Sequence, residues 1–467
     1  MKLEGRKERY VMRHWLDHYI YILYSTVLIS YVINVFIGIE AVNYIIGLIA
    51  IPMLLVSFLG ASNLFRLLGS LFLMTGLFLF IQSGLPLQEA FLFFTDNLRL
   101  LALLAVLPWM NSVVRAGRFD RRMNQLMKAN VSDLGKLYVR SSITTYTLIS
   151  FINLSALTLT QGVLLQNLSN LSKKLKDTFI SQTTLRAFSM ALVWSPMEII
   201  VAISVDATGV GYVTILPWLL LISLITMVID NIWGRYYYGK LPYHAPSNAV
   251  GRSFSVKTII FQISQLFGAL VTFLFIIVFT SSLLDLNFIL TVTLVILPFS
   301  FIWSIVMKRV RSFITIGWNT WKVRTNGMQN FVVLFVSLGF FSNSLNATPA
   351  LEAIQHPFMA MAEYPLVILF FIQMTYLLLS MIGIHPVATI GVLMEVVTPL
   401  YQDINPLSIG IVLITGALAT ATVGTYGVTV TMTSMNTQQN PYRITLKNMP
   451  FALIYGGIGT FVAFFLL

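Results

Sequence analysis

Ionisable and polar side chains inside long apolar runs are scarce in this chain, so those that occur are the first candidates for chemistry. Glu198 lies two residues after Pro196, midway through the apolar stretch Ala187–Val205. A carboxylate at that depth costs roughly 2.5–3.5 kcal/mol on insertion scales, so it reads as a coupling site that gains and loses a proton. The competing reading is a structural glutamate paired with Arg99 or Arg186. Around it, Asn153, Ser155 and Thr158 in an apolar segment and Ser195 before the proline offer oxygen ligands of the kind that suit Na⁺. A second set is formed by His385 before Pro386, Thr389, Thr422 and Thr425. His385 could titrate near neutral pH or simply serve as a turn residue. Each serine or threonine could equally bond the carbonyl one turn back, which is what most of them do inside a helix.

Those side chains need elements to hold them, and composition restricts the choice. Of the 467 residues 57% are hydrophobic and 10% are charged, with no cysteine and a net charge of +12. This predicts an all-α polytopic membrane protein. It excludes disulfides, thiolate metal sites and thiol nucleophiles. No Walker motif, metal-ligand spacing or nucleophile elbow is present, which argues against an enzyme and against ATP-driven transport; no cofactor is expected beyond Na⁺ or H⁺ as coupling ion. The positive charge collects in the segments Asn111–Arg140 and Val306–Arg324, which mix Arg and Lys with Phe, Met and Trp. They read as interfacial helices on an anionic inner leaflet, and no nucleic-acid partner is expected.

Runs long enough to cross a bilayer occur near Tyr19–Ile37, Val42–Leu59, Leu67–Ile81, Ala90–Trp109, Ala187–Val205, Val213–Trp233, Thr258–Ser281, Phe288–Val306, Phe331–Leu345, Leu407–Val423 and Pro450–Leu467. The first is too long for a cleaved leader. Ser141–Asn167 is as apolar as these, yet basic residues flank it on both sides. A re-entrant hairpin with its tip near Asn153, Leu154 and Ser155 keeps both flanks on one side of the membrane; a crossing would put Lys173, Lys174, Lys176 and Arg186 outside. With a second hairpin formed by Leu366–Met381 and Val387–Val397, every Lys and Arg but Arg99 falls on the cytoplasmic side. Glu40, Glu89, Asp206, Asp285, Glu352, Glu363 and Asp403 then lie outside, with a cytoplasmic N-terminus and an external C-terminus.

Set against itself at an offset of 230 residues, the chain brings Leu148–Leu165 onto Leu378–Glu395 and Ala191–Ser204 onto Ala421–Ser434. Helix breakers coincide at that offset, Ser195-Pro196 in one half and Gly424-Thr425-Tyr426-Gly427 in the other. The expected organisation is a tail and extra first span over 1–38 and a first repeat over 39–257, with a hairpin at 141–185 and a broken span at 187–206. An inverted second repeat covers 258–467, with a hairpin at 365–400 and a broken span at 407–435.

About eleven crossings, two opposed hairpins, a broken span after each and a basic segment before the first: this resembles the divalent anion/sodium symporter family within the ion transporter superfamily. That family carries Ser-Asn-Thr at each hairpin tip, where this chain reads Asn153-Leu154-Ser155 and Gly383-Ile384-His385-Pro386. The resemblance implies a homodimeric elevator-type carrier in which hairpins and broken spans move across a fixed scaffold. The function expected is secondary transport of a small polar or anionic solute across a bacterial inner membrane. The other class considered is a membrane-embedded enzyme or lipid-handling protein acting on a lipid-linked precursor.

Overall fold

The structure, a computed structural model, describes residues 4–117, 133–241 and 256–467, with side chains from residue 19 and, after the third segment's first turns, from residue 264. Part of the basic segment Asn111–Arg140 and the arginine at Arg252 therefore lie outside the described residues. What is described is all α-helix, apart from two short 3-10 turns.

The chain divides into two compact units, 1–113 with 289–357 and 114–288 with 358–467. Each draws on both halves of the sequence, so the units do not follow the division at residue 257. The first unit contains α1 (Glu4–Ile37), α2 (Glu40–Gly60), α3 (Asn63–Ser83), α4 (Leu87–Phe93) and most of α5 (Leu98–Ala116). After the second unit's portion of the chain it resumes with most of α12 (Phe288–Val306), α13 (Val310–Asn326) and α14 (Gln329–Asn346). Helix α3 lies against α14. Small residues make that approach possible, because a Cβ at Gly69 would meet Val333 and one at Gly76 would meet Phe340. Phe340 also stacks on Phe94 with ring centroids 4.6 Å apart. Helix α13 is amphipathic and meets α14 at 56°.

The second unit carries α6 (Leu134–Ile152), α7 (Leu154–Asn167), α8 (Lys173–Leu192), α9 (Ile199–Thr208), α10 (Tyr212–Gly239) and α11 (Val256–Leu284). It is completed by α16 (Pro365–Met381), α17 (Pro386–Val397), α18 (Pro406–Ala419), α19 (Val428–Thr437) and α20 (Pro441–Phe464), while α15 (Ala350–Met359) leads in from the first unit. Helices α6 and α7 pack on each other as a hairpin with Asn153 at its turn, and α16 and α17 do the same around Ile382–His385. After each hairpin comes an interrupted helix, α8 to α9 broken at 193–198 and α18 to α19 broken through a 3-10 turn and 423–427. The pairing crosses over: α7 packs on α19, and α17 packs on α9.

Helix α8 differs from the expected boundary, which ran the first hairpin to residue 185. Its sequence, with Ser181, Gln182, Thr183, Thr184, Arg186 and Ser189, is too polar to read as a span, yet from Phe179 to its end every residue is buried. Hydroxyls bonded to carbonyls one turn back, as at Thr183 and Thr184, make that burial tolerable. By length and composition, seven of the described helices could cross a membrane, or eight if the bent pair counts as one span. The chain is an all-α polytopic membrane protein.

Candidate functional site

Two breaks carry the polar side chains. At the first, α6 ends and Asn153 turns the chain with φ of 46°. That conformation is uncommon for a residue with a side chain, and asparagine tolerates it better than most. Across from it, the chain leaves α8 at Leu192 and runs through Ser195 and Pro196 to Glu198, the residue before the first turn of α9. The Glu198 carboxylate lies within electrostatic reach of the Asn153 side-chain amide and of the Ile199 and Ile200 N–H groups, without making a side-chain cap hydrogen bond at the α9 N-terminus. It therefore sits where unpaired N–H groups and the helix dipole favour negative charge. The Asn153 Oδ1 is buried with no hydrogen-bond partner among the described residues.

Two residues beyond the tip, Ser155 Oγ accepts from Arg115 Nη2 at 2.5 Å. One hairpin turn thus holds a guanidinium at one helix N-terminus and a carboxylate at another. Ser195 is buried in the same break, its Oγ accepting from the Met197 N–H at 3.4 Å. Thr158 is exposed, one turn along α7 from the tip. The structure thus sets Asn153 beside Glu198, places Ser155 and Ser195 in the two segments that meet there, and leaves Thr158 on an outer face.

Arg186 is not the partner of Glu198. It lies on α8, nine residues before the break's serine, and pairs with Asp230 of α10 at 2.8 Å. Tyr138 donates to the other Asp230 oxygen at 2.9 Å, and Arg186 Nε donates to Asn448 Oδ1 at 3.2 Å. Asp230 escaped the sequence reading, although an acid inside the apolar run Val213–Trp233 was a visible signal.

At the second break Gly383 has φ of 98°, a conformation that suits glycine. His385 caps α17, its Nδ1 accepting from the Val387 N–H at 3.2 Å, and Pro386 fills the first helical position. Thr389, one turn on, is buried with an Oγ1 that has no partner among the described residues. In the interrupted helix Thr422 donates to the Ala419 carbonyl at 2.9 Å, the local bond of an ordinary helical threonine. Thr425 reaches Thr445 of α20 at 3.1 Å, and Thr445 in turn donates to the Val423 carbonyl. The Tyr426 ring lies beside Gly383 and its hydroxyl is hydrogen-bonded to Tyr442. The approach of Gly383 to Tyr426 thus brings together the turns that carry His385 and Thr425, while Thr389 lies one turn into α17 and Thr422 bonds within its own turn.

Side-chain amides tie the hairpins to the interrupted helices. Gln161 of α7 donates to Thr433 of α19 at 2.8 Å and accepts from Asn436 at 2.8 Å. The Ser189 hydroxyl of α8 donates to the Leu418 carbonyl of α18 at 2.7 Å, where the interrupted helices meet. None of these bonds was visible in sequence, since they join residues more than two hundred positions apart.

No protein-family model matches the sequence, and no curated protein matches it. Among solved structures, the chain is similar to the Alcanivorax borkumensis YdaH transporter, whose crystal structure is described as revealing an unusual topology. The TM-score is 0.61 at 14% identity, over 85% of this chain and 98% of that one. At that identity the likeness is one of fold, and nearly the whole of the solved chain takes part in it.

Proposed function

We propose that this chain is a secondary active transporter, working by an elevator movement and carrying a small polar or anionic solute coupled to Na⁺ or H⁺. The observation that carries the reading is the approach of Asn153 to Glu198: a hairpin tip laid beside a half-buried carboxylate at the N-terminus of a half-helix. Such breaks present unpaired N–H groups and carbonyls to a solute or ion inside a membrane. Supporting it are the division into two units that both halves of the sequence build, and the two positive-φ tips at Asn153 and Gly383, 230 residues apart. The fold likeness to a transporter agrees with it. The same proposal includes a scaffold formed by the first unit, a moving second unit, a homodimer and the architecture of the divalent anion/sodium symporter family. It also includes a bacterial inner-membrane location with the N-terminus inside and the C-terminus outside.

In this mechanism Glu198 is the coupling group. While ionised it occupies the α9 N-terminus itself; when protonated, or neutralised by a cation, it gives up that field to a solute anion held by Ser155 and Arg115. The test is counterflow in proteoliposomes over a solute panel, with Na⁺ and pH varied. Glu198→Gln is expected to remove pH dependence while the protein stays folded. Wild-type pH dependence in that variant would take Glu198 out of the mechanism, and absence of any uptake by the wild type would refute transport. Because the chain has no native cysteine, a cysteine at Lys174 reports orientation cleanly. Labelling only from outside would overturn the topology.

A further inference from the structure

Away from both breaks, a groove of about 390 Å³ opens between α8, α10 and α20, within the range of ordinary small-ligand sites. Its floor is a polar stripe on α8, Thr178, Gln182 and Arg186 at successive helical turns. One wall is α10, with Ile229, Asp230, Trp233 and Tyr237; the other is α20, with Lys447 and Phe451. The outer edges of these walls are exposed, Ile229 at 44%, Tyr237 at 51% and Ile454 at 50%. Since α10 is long and apolar enough to span a bilayer, exposed apolar edges of this kind suit a groove that opens toward lipid.

The charges inside do not cancel. Arg186 and Asp230 neutralise each other, which leaves Lys447 as the net +1 of the lining. Arg186 is 6% exposed, with Nε and Nη1 taken by Asn448 and Asp230, so its Nη2 donors remain for a ligand. Trp233 and Phe451 flank the guanidinium at 4.5 and 5.2 Å and hold its plane. A fixed cation donor, a second cation at the mouth and an aromatic channel open to the bilayer complement one chemistry: a phosphate diester bearing an acyl chain.

We propose that this groove binds an anionic glycerophospholipid, its phosphate between Lys447 and Arg186 and an acyl chain along Ile229, Trp233 and Ile454. A basic pocket between transmembrane helices is the form that such headgroup sites take. The site lies on α8, the first half of the first interrupted helix, with α10 and α20 as its walls, and does not depend on the transport reading.

The test uses the full-length protein in micelles and native mass spectrometry, with phosphatidylglycerol and phosphatidylcholine of equal chain length as probes. Phosphatidylglycerol is expected to be retained about fivefold over phosphatidylcholine, the order of one basic residue's attraction, and Lys447→Gln should remove that preference. Ile229→Trp, which fills the groove from an exposed edge and leaves the ion pair intact, should abolish retention of both; Ile454→Trp repeats the test from the opposite wall if the first variant unfolds. Glycerol 3-phosphate at equal concentration should not displace the lipid. Equal retention of the two lipids, retention unchanged in the filled variants, or full displacement by glycerol 3-phosphate would each overturn the assignment.

Discussion

The buried pair of Arg186 and Asp230 lends itself to a double-mutant cycle. The charged atoms are 2.8 Å apart with side chains 6% and 2% exposed. Tyr138 and Asn448 complete the set, so the network ties together α6, α8, α10 and α20. Removing one partner leaves the other charge buried and uncompensated, at a cost of about 3–5 kcal/mol. Arg186→Gln and Asp230→Asn should each lower stability by that amount, and independent effects would make the double variant roughly 6–10 kcal/mol worse than wild type. Because the double variant buries only neutral amides, it is expected to lose about 2–3 kcal/mol, a coupling of at least about 3 kcal/mol. Equilibrium unfolding in mixed micelles of increasing dodecyl sulfate, followed by tryptophan fluorescence, measures all four proteins. A double variant at the sum of the singles, or either single below about 1 kcal/mol, would refute the claim that the pair is a closed unit.

Other outcomes are fixed by particular positions. A Cβ at Gly47 would stand 2.0 Å from the Phe91 carbonyl oxygen, so Gly47→Ala must part α2 from α4 and should cost about 1–3 kcal/mol in the same titration. Gly457 on α20 has nothing within 4 Å, and Gly457→Ala should be neutral or stabilising by up to about 1 kcal/mol. Gly383→Ala meets a φ of 98° and the Tyr426 ring; a loss of about 1–3 kcal/mol, visible as faster hydrogen exchange at 382–386, is the expected result. Asp133 caps α6 through the Lys136 N–H at 2.7 Å and pairs with Arg235 at 2.9 Å. Its slight burial raises its pKa, but the Lys136 N–H and the Arg235 charge outweigh that and hold it below the ordinary carboxylate value. Asp133→Ala should therefore cost about 0.5–2 kcal/mol near neutral pH. The difference from wild type should persist down to about pH 4, the unfolded carboxylate's range, and close as pH falls through the lower folded value.

Sequence made the punctuation of this fold legible. Pro196 and the pair Gly424 and Gly427 stand where the helices are interrupted, because a proline removes a donor and glycine weakens a helix wherever they fall. Asn153 is a turn residue and Glu198 an acid at depth, so both could be singled out without knowing that they touch. Helix α8 was illegible for the opposite reason. Its polarity resembles a loop, and only the surrounding helices make it a buried core element. The Gln161 bonds and the Arg186 pairing depend on which helices meet, and local pattern does not encode that. Arg115 stood in a basic segment with a ready explanation in lipid, and its reach to Ser155 could not be separated from that background.

The crossed packing, α7 on α19 and α17 on α9, sets a timetable for synthesis. Gln161 is separated from Thr433 by 272 residues. At roughly 5–20 residues per second the ribosome needs about 15–55 s to supply the missing partner. During that interval the Gln161 amide of α7 lacks its Thr433 and Asn436 partners, and the first hairpin has no second half to close on. A chain halted before α19 should therefore expose residue 161 to a membrane-soluble cysteine reagent, if glutamine there is replaced by cysteine, while release of the full chain should protect it. Equal labelling of halted and released chains would show that the hairpin closes without its distant clasp. The bonds from Gln161 to Thr433 and Asn436 thus make closure of the first hairpin wait on α19.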